Sequence, residues 1–284
     1  MKFSAFTAST PEWTPVQAAA TLANQGFDGI EWRVTDQDDA PSPGFWAGNR
    51  ATWPLTRLEA SVDDIARITR EAGLEFSAIG GYAACSEHAD VERLLAVTAQ
   101  LGAGRLRITM PATGSGNYRD VFAAARTDLE WVAERAAHHH VTALVELHHR
   151  TIVASASAAM RLIDGLDPAH VGVIHDIGNL TIEGYEDPLS AFQMLGPYLA
   201  HVHVKNGAWE RVGQAGDGAI EWGDRWVPLR DGRADLAAYF RALVEHGYDG
   251  WVTLEDFSTM LPLEQRTREN LVYVRELHDR ATRG

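Results

Sequence analysis

Short apolar segments and helical patterns alternate from one end of the chain to the other, and this alternation limits the folds available to it. The strand-like segments are rich in β-branched residues and are bounded by turn residues. There are eight of them, at residues 2–6, 29–33, 74–79, 105–109, 142–147, 171–176, 200–204 and 251–255. Helical patterns follow them at residues 15–25, 58–72, 89–101, 121–139, 155–165, 188–195, 234–246 and 263–280. Pro15 and Pro188 begin two of these helices, and Gly26 and Gly247 follow two others, as helix ends prefer.

Eight strand-then-helix units fit one closed barrel better than an open sheet. A (β/α)8 barrel usually has about 250 residues, roughly thirty for each unit, and this chain has 284. The alternative, a doubly wound open sheet, normally carries a glycine-rich phosphate-binding turn after its first strand. Residues 7–11 read TASTP and contain no glycine. We therefore predict a single (β/α)8 barrel domain over residues 1–284.

The composition argues against several classes of protein. No stretch approaches the about eighteen uncharged apolar residues of a membrane span, and residues 1–6 lack the apolar segment of a signal peptide. A formal net charge of -14 argues against binding along a nucleic-acid backbone, which requires a basic surface. Cys85 is the only cysteine, so no disulfide can form within the chain. We expect a cytoplasmic location, because such a composition suits a reducing compartment.

Two predicted connections are longer than the usual about two to six residues. They cover residues 34–57 after the second strand and residues 205–233 after the seventh. Both follow the carboxyl ends of strands, where barrel active sites are built. They contain five tryptophans: Trp46, Trp53, Trp209, Trp222 and Trp226. Large apolar residues in loops indicate either a lid over a substrate or a contact between the subunits of a homo-oligomer.

Four polar residues stand at the ends of four consecutive predicted strands in the C-terminal half. Glu146 ends the fifth strand and Asp176 the sixth, while His203 lies near the end of the seventh and Glu255 ends the eighth. Burying such groups without a partner is costly, so four in succession indicate one shared partner. Carboxylate and imidazole donors suit a hard or borderline divalent cation. The alternative for the two glutamates is an ion pair with an interior arginine such as Arg107, and for Asp176 a cap on the following turn.

Several short motifs resemble those of one enzyme family. They are GFDGIE at residues 26–31, Glu146 at the fifth strand, HDIGN at 175–179, HVHVKN at 201–206, GDGAIEW at 216–222, and GYDGW at 247–251 before Glu255. In this order, and over nearly the whole chain, they resemble the sugar phosphate isomerase/epimerase superfamily, the xylose isomerase-like barrels. That group includes ketose 3-epimerases, hydroxypyruvate isomerase and inosose dehydratase.

The resemblance implies a xylose isomerase-like barrel that holds one divalent ion, with manganese expected first and magnesium, cobalt or zinc as alternatives. The positions that match the family's ligands are Glu146, Asp176, His203 and Glu255. The family's strand-seven loop usually offers an arginine to the substrate, and Arg211 is the nearest match. Family epimerases commonly place a histidine three residues after the strand-six aspartate, where this chain has Asn179. An asparagine binds a hydroxyl but cannot shuttle a proton near neutral pH.

Further residues near the strand ends are candidate substrate contacts. His148 lies two residues beyond the fifth-strand glutamate, on the same side, and could bind substrate or move a proton. Arg150 could bind a carboxylate or phosphate through two hydrogen bonds, and Lys205 could hold an anionic oxygen. Each of these three could instead be an exposed loop residue. Glu31 either reaches the same pocket or pairs between neighbouring strands, and His201 is either a core histidine or a group that orients a carboxylate.

The predicted chemistry is proton transfer beside a carbonyl. A divalent ion stabilises an enediolate, while Glu146 and Glu255 can act as base and acid on either side of the bound carbon. We therefore predict an isomerase or epimerase acting on a small sugar, keto-sugar or polyol-derived substrate. The alternative is a lyase of the inosose dehydratase kind, with His148 or Lys205 as the acid. A polyol-binding barrel without turnover is a further alternative, and a three-zinc DNA-repair nuclease would need histidines that this chain lacks.

Overall fold

The predicted (β/α)8 barrel is confirmed. The computed structural model describes residues 1–284. The strands are β1 (Lys2–Phe6), β2 (Gly29–Val34), β3 (Glu75–Ala84), β4 (Arg105–Thr109), β5 (Thr142–Glu146), β6 (Val171–Asp176), β7 (Leu199–Val204), β8 (Asn206–Gln214), β9 (Ile220–Val227) and β10 (Trp251–Leu254). All except β8 and β9 are parallel and close into a barrel in the order β1-β10-β7-β6-β5-β4-β3-β2.

Eight of the nine helices lie where the alternating pattern predicts them, and one short helix directly after β6 is additional. The nine helices are α1 (Pro15–Gln25), α2 (Leu58–Glu71), α3 (His88–Leu101), α4 (Tyr118–His139), α5 (Ala156–Ile163), the additional α6 (Ile177–Ile182), α7 (Pro188–Leu195), α8 (Leu236–His246) and α9 (Leu263–Arg283). Three short 3-10 turns lie at Thr7–Ser9, Leu55–Arg57 and Gly196–Tyr198. None of the helices combines the length and the apolar composition that crossing a bilayer requires.

Local sequence signals set the ends of α1. The Thr14 hydroxyl accepts from the Gln17 backbone N–H, and the Gln17 side chain accepts from the Thr14 N–H at 2.9 Å. This reciprocal pair satisfies two of the free N–H groups at a helix start. Gly26 ends the helix at φ 92°, a left-handed conformation that glycine adopts without strain. The chain therefore turns into β2 at a fixed point.

Alternation along the strands decides which side chains enter the barrel. On β5, Val145 belongs to the main core of 63 buried residues between strands and helices. Its neighbour Leu144 belongs instead to a separate group with Ala78 and Ile174. Because alternate residues of a strand share a face, Glu146 lies on the same side as Leu144, inside the barrel.

The strand β3 is longer than the sequence predicts. Residues 80 and 81 are both glycine, which reads as a turn, yet β3 continues through them to Ala84. A methyl group built on Gly80 would collide with the Phe6 ring. Glycine is therefore required there by the close approach of β1, not by a turn.

The long connection after β7 is a hairpin instead of an irregular loop. Strands β8 and β9 pair in antiparallel fashion. Asn206 fixes the base of this hairpin, because its Nδ2 donates to Leu229 O at 2.9 Å and its Oδ1 accepts from Ala234 N at 3.0 Å. The hairpin therefore leaves and rejoins the barrel at a fixed place.

Candidate metal centre and the cavity above it

Four donor side chains meet at the carboxyl end of the barrel. Glu146 ends β5, Asp176 ends β6, His203 lies in β7 and Glu255 directly follows β10. One ligand atom from each lies within 4.8 Å of those of the others, and all four residues are buried. Strand register produces this arrangement, because His203 is paired with Asp176 on one side and with Thr253 on the other.

A buried carboxylate fixes the orientation of the His203 ring. Glu31 Oε2 accepts hydrogen bonds from His203 Nε2 at 3.1 Å and from His201 Nε2 at 3.0 Å. Burial would raise the pKa of Glu31, but the two imidazoles outweigh burial and hold the pKa well below its usual range. Because an ionised carboxylate only accepts, Nε2 of His203 carries a hydrogen and Nδ1 is left facing the cluster.

The free side of His203 lies among carboxylates. Its Nδ1 has no hydrogen-bond partner and lies 3.7 Å from both Glu146 Oε1 and Glu255 Oε2. Burial alone would lower the pKa of His203, but the carboxylates of Glu31, Glu146 and Glu255 outweigh burial and raise the pKa well above its ordinary value. A metal ion entering the cluster would replace a proton at this nitrogen, since a metal-bound imidazole is neutral.

The ammonium of Lys205 lies inside the cluster. Its Nζ is 2.5 Å from Glu255 Oε2, 2.7 Å from Asp176 Oδ2 and 3.9 Å from Glu146 Oε1. Burial alone would lower the pKa of Lys205, but these carboxylates outweigh burial and raise the pKa. The contact with Asp176 is poorly aligned, because Oδ2 has no hydrogen bond although the ion pair is short. Burial, together with Glu146 and Glu255, raises the pKa of Asp176 to about 7 in spite of the ammonium.

The chemistry of the cluster fits a divalent metal ion. It offers three carboxylates and one imidazole, donors that hard and borderline cations prefer. His203 Nδ1 is buried without a hydrogen bond, which is costly unless a ligand takes it, and Asp176 Oδ2 has only the poorly aligned ion pair with Lys205. Glu31 behind His203 supplies the carboxylate–histidine arrangement common at metal sites. The four residues are therefore suited to hold one ion.

The two glutamates of the cluster have different surroundings. Glu146 Oε2 accepts from Arg107 Nε at 2.6 Å, and its Oε1 accepts from Asn179 Nδ2 at 3.1 Å. Burial would raise the pKa of Glu146, but Arg107, His203 and Lys205 outweigh it and hold the pKa well below its usual range. Glu255 contacts Lys205 through Oε2, while its Oε1 makes no hydrogen bond within the protein. Glu146 thus combines the predicted cluster position with the alternative ion pair to Arg107.

Asn179 is fully used within the protein. Its Nδ2 donates to Glu146 Oε1 and to Leu147 O, both at 3.1 Å. Its Oδ1 therefore accepts from His149 Nδ1 at 2.9 Å. The Asn179 backbone N–H donates to Asp176 Oδ1 at 2.9 Å, so the predicted cap of Asp176 on the following turn is also present. Asn179 therefore positions the Glu146 carboxylate and the His149 ring from behind the cluster.

His148 presents a hydrogen-bond acceptor to the cavity. Its Nδ1 lies 2.8 Å from His149 O, and because a carbonyl oxygen only accepts, Nδ1 carries the hydrogen. Burial lowers the pKa of His148 to about 4, so the ring is neutral at pH 7. Its Nε2 therefore has a lone pair and no hydrogen.

A cavity of about 380 Å³ lies above the cluster. Its charged and imidazole lining residues are Arg107, Glu146, His148, His149, Arg150, Lys205, Asp224 and Glu255. Its aromatic lining residues are Trp46, Tyr82, Trp226 and Phe257. A second cavity of about 220 Å³ shares Tyr82, Arg107, Glu146 and His148 with the first. The space is large enough for a small sugar or polyol, whose ring faces suit aromatic walls.

Tyr82 lies between two guanidinium groups on one side of the cavity. The guanidinium carbon of Arg33 is 5.0 Å from the centre of the Tyr82 ring, and that of Arg107 is 4.6 Å away. Burial raises the pKa of Tyr82, so its phenol stays neutral at pH 7. Arg33 also donates to Gln37 and Thr52 at 2.9 Å, which ties the long connection after β2 to this stack.

Three of the predicted substrate contacts line the cavity, namely His148, Arg150 and Lys205. Arg150 forms an ion pair with Asp224 of β9. This pair joins the segment after β5 to the hairpin across the mouth of the cavity.

The other three predicted substrate contacts do not line the cavity. Glu31 and Asn179 are completely buried behind the cluster. Arg211 lies on the exposed part of the hairpin, where its guanidinium donates to Gln214 at 3.2 Å. Glu31 and Asn179 therefore adjoin the cluster from behind, and Arg211 is separate from it.

The tryptophans of the two long connections divide between two environments. Trp46 and Trp226 line the cavity, as a lid would require. Trp209 and Trp222 are 40% and 60% exposed on the hairpin. Trp53 packs against the main core.

Sequence reasoning missed part of the cavity. Tyr82 and Phe257 were not singled out, and Arg107 was considered only as an ion-pair partner. The signal for Arg107 was present, since it alternates with Leu106 and Ile108 on β4 and so must face the barrel interior. Tyr82 carried no signal, because it follows the two glycines that read as a turn.

The fold and the cluster define a class of protein. A family model described as "Xylose isomerase-like TIM barrel" matches residues 19–277. The chain therefore belongs to the xylose isomerase-like TIM barrel family, and the resemblance predicted from its motifs is confirmed.

Similar proteins in this family are enzymes of more than one reaction type. An inosose dehydratase of Lacticaseibacillus casei is 29% identical over 135 residues, 45% of this chain and 45% of that protein. The match thus spans about half the length of that relative. The 3-keto-D-glucoside 4-epimerase of E. coli superposes with a TM-score of 0.73 at 17% identity, over 97% of this chain and 99% of that one. A probable 3-DHS dehydratase of Bacillus anthracis gives 0.73 at 18% identity over the same shares, 97% and 99%. At these identities the structural likeness supports the fold alone.

Proposed function

We propose that the protein is a divalent-metal-dependent dehydratase, a carbon–oxygen lyase that removes water from a small cyclic keto-polyol. The observation that carries the proposal is the difference between the two glutamates. Both oxygens of Glu146 are held by donors, whereas Glu255 keeps one oxygen free at the cavity. A reaction with one base and a separate acid fits this difference better than a reaction with two equivalent bases.

The metal requirement is part of the proposal. The residues that would hold the ion are Glu146, Asp176, His203 and Glu255. When bound, a divalent cation polarises the substrate carbonyl and makes the neighbouring C–H bond more acidic. Manganese is our first choice, as the family resemblance implies, and magnesium, cobalt and zinc are the alternatives; three carboxylates and one imidazole suit each of these ions.

Glu255 is the proposed base. Lys205 and His203 hold the pKa of Glu255 below its usual range although burial opposes them, so the carboxylate is ionised at neutral pH. Its Oε1 makes no hydrogen bond within the protein, and the side chain lines the cavity. Glu255 is therefore free to take a proton from the carbon beside a carbonyl.

Lys205 is the proposed acid. It lines the same cavity, and in the metal-free protein its neighbouring carboxylates outweigh burial and raise its pKa, so the amine is protonated at neutral pH. We do not assign the acid to His148, because its Nε2 carries no hydrogen in the neutral ring and would accept a hydrogen bond from a substrate hydroxyl instead. The C–H proton passes to Glu255, the C–O bond on the next carbon breaks, and Lys205 supplies the proton that turns the hydroxyl into water. A carbon–carbon double bond forms between the two carbons.

The inosose dehydratases among the proteins of similar sequence support this choice over the isomerase or epimerase that the sequence predicts. The epimerase remains the second candidate, favoured by the presence of both Glu146 and Glu255 at the cavity. It would require Glu146 to exchange a proton while hydrogen-bonded to Arg107 and Asn179, and while Arg107 and its other cationic neighbours outweigh burial and hold its pKa low.

Mass spectrometry of the products separates the two candidates. The metal-stripped protein is loaded with Mn²⁺ and incubated in deuterium oxide with a panel of inososes, a 3-keto-glucoside and simple ketoses. We expect loss of water from an inosose or a related cyclic ketone, and no turnover by the stripped protein. Retention of the elements of water, with deuterium on a carbon of the recovered sugar, would instead identify an epimerase or isomerase. Turnover without any metal would contradict the metal-dependent proposal.

A further inference from the structure

We propose that Lys205 and the divalent ion compete for the same carboxylates, so that metal binding moves the Lys205 ammonium out of the cluster and into the cavity, where it becomes a substrate contact. The inference rests on the metal site of the proposed function. It adds that the substrate site is completed only after the metal is bound.

The distances from the Lys205 ammonium to the carboxylates support the proposed competition with a metal ion. Lys205 Nζ contacts Glu255 Oε2 and Asp176 Oδ2 directly and lies 3.9 Å from Glu146 Oε1. These three side chains are also three of the four in the cluster suited to a metal. An ammonium and a divalent ion at one set of oxygens repel each other strongly in a buried site. One of the two must therefore leave when the other binds.

The surroundings of Lys205 allow its end to move while its stem stays fixed. The stem packs so closely on Gly178 that a methyl group built there would collide with Lys205 Cγ. The ammonium borders the cavity, 5.0 Å from the Trp226 ring and 5.6 Å from the Phe257 ring. An outward rotation keeps the charge beside these aromatic faces, which attract cations. A lysine can make this movement, because its ammonium sits on a flexible four-carbon stem.

The sequence singles out this residue type. Of the 25 lysines and arginines, only Lys2 and Lys205 are lysines. Lys2 resembles Lys205 in its contacts, because it pairs with Glu75 at 2.7 Å and lies 5.4 Å from the Trp251 ring. Its side chain is half exposed. Lys2 begins β1 and Phe6 ends it at the carboxyl end of the barrel, where the cluster lies, so Lys2 is far from the cluster. The chain therefore contains its own matched control.

Amine labelling of the unmodified protein tests the movement. The metal-free and the Mn²⁺-saturated protein are treated briefly with acetic anhydride, and acetylation of each lysine is measured by peptide mass spectrometry. We expect Mn²⁺ to increase the labelling of Lys205 several-fold, while the labelling of Lys2 stays constant. Equal labelling of Lys205 with and without Mn²⁺, at saturation verified by calorimetry, would overturn the proposal.

Metal affinity tests the competition independently. Calorimetric titration with Mn²⁺ is compared for the natural protein, Lys205→Met and Lys2→Met. We expect Lys205→Met to bind Mn²⁺ at least about tenfold more tightly, the factor that 1.4 kcal/mol of removed repulsion gives, and Lys2→Met to be unchanged. Equal or weaker binding by Lys205→Met would contradict the inference while leaving the proposed function intact. If none of the three proteins binds Mn²⁺, the metal-dependent function fails together with it.

Discussion

The two sides of the cavity are built from opposite chemistry. Strands β5 and β6, β7, and the end of β10 contribute three carboxylates and an imidazole. The facing strands β2, β3 and β4 contribute Arg33, Tyr82 and Arg107, two guanidinium groups with a phenol between them. Two buried contacts join the sides, one between Arg107 and Glu146 and one between Glu31 and His203.

This contrast in charge indicates a different role for each side of the cavity. The acidic side gathers carboxylates whose charge Lys205 and His203 only partly balance, so an added cation would stabilise it. The cationic side holds Glu146 in place through Arg107 and presents the Tyr82 ring to the cavity. We infer that the acidic side binds the metal and performs proton transfer, whereas the cationic side restrains one glutamate and contacts the substrate.

The largest effect is expected from removing the charge of the proposed base. Glu255→Gln should lower kcat by about 10³-fold, the typical contribution of a positioned general base. Glu146→Gln should weaken Mn²⁺ binding and, once saturated with Mn²⁺, retain clearly more activity than Glu255→Gln. Steady-state kinetics with metal titration measure both, and Glu210→Gln on the exposed part of the hairpin is the matched control. Equal losses of kcat at metal saturation would favour two equivalent bases and hence the epimerase.

Breaking the contact between the two sides should destabilise the protein. Arg107→Met leaves Glu146 with an unpaired buried charge, and we expect the free energy of unfolding to fall by about 3 kcal/mol. Adding Glu146→Gln to this variant should recover part of the loss, because the unpaired charge is then gone. Urea denaturation measures these differences. Arg67→Met, which breaks only exposed ion pairs, should change stability by less than about 1 kcal/mol. A similar small loss for Arg107→Met would mean that the buried pair has little structural importance.

Behind the acidic side, a buried neutral histidine predicts the pH dependence of stability. His175 is completely buried, its Nδ1 lies 2.8 Å from the Tyr239 hydroxyl, and burial lowers its pKa to about 3. Since the pKa is about 6.5 in an unfolded chain, the unfolded state binds the extra proton first. The contribution of His175 is therefore complete above pH 6.5 and is lost as the pH falls toward 3, by up to about 1.4 kcal/mol per pH unit.

Comparison of the natural protein with His175→Gln separates the contribution of His175 to the unfolding free energy from those of the other titrating groups. Asp176 titrates in the opposite sense, because its raised pKa favours the folded state at low pH. The difference in unfolding free energy between the natural protein and the variant should therefore shrink between pH 6.5 and pH 4.5. A difference that stays constant over this range would show that His175 does not titrate between the two states.

The smallest effect is expected on the cationic side. The Tyr82 hydroxyl makes no hydrogen bond within the protein, while its ring stacks on Arg33 and Arg107. Tyr82→Phe keeps the stack and should leave thermal stability unchanged. If the hydroxyl contacts the substrate, kcat/KM should fall by about three- to tenfold, the effect of one lost hydrogen bond. An unchanged kcat/KM would remove the phenol from the substrate site, and a large loss of stability would show that the hydroxyl has a structural role.

The acidic side could be predicted from the sequence because its signal is local. A β-branched run that ends in a charged residue marks a strand end, and alternation along the strand places Glu146 and Asp176 on the inner face. Barrel closure then brings all such ends together, whatever their separation in the chain. The fold was predictable for the same reason, since each unit carries its own strand and helix pattern.

The cationic side could not be predicted in the same way. Its stack depends on the close packing of Gly80 against Phe6, which lets β3 continue to Tyr82 where the glycines read as a turn. The position of the Lys205 ammonium could not be predicted from the sequence either. The sequence places that residue above His203, but only the three-dimensional arrangement of carboxylates shows that a flexible side chain folds back among them.

Asn206 marks the structural boundary between the hairpin and the barrel strands. The register between β7 and β10 is set by the pairing of Val202 with Val252 and of Val204 with Leu254. These pairs precede Asn206, whose hydrogen bonds to Leu229 and Ala234 fix the base of the hairpin. Residues 207–227 contain none of the four donors of the cluster, although Asp224 and Trp226 of this segment line the cavity. Changes confined to this contiguous segment would therefore alter the wall of the cavity and leave the four donor residues in place.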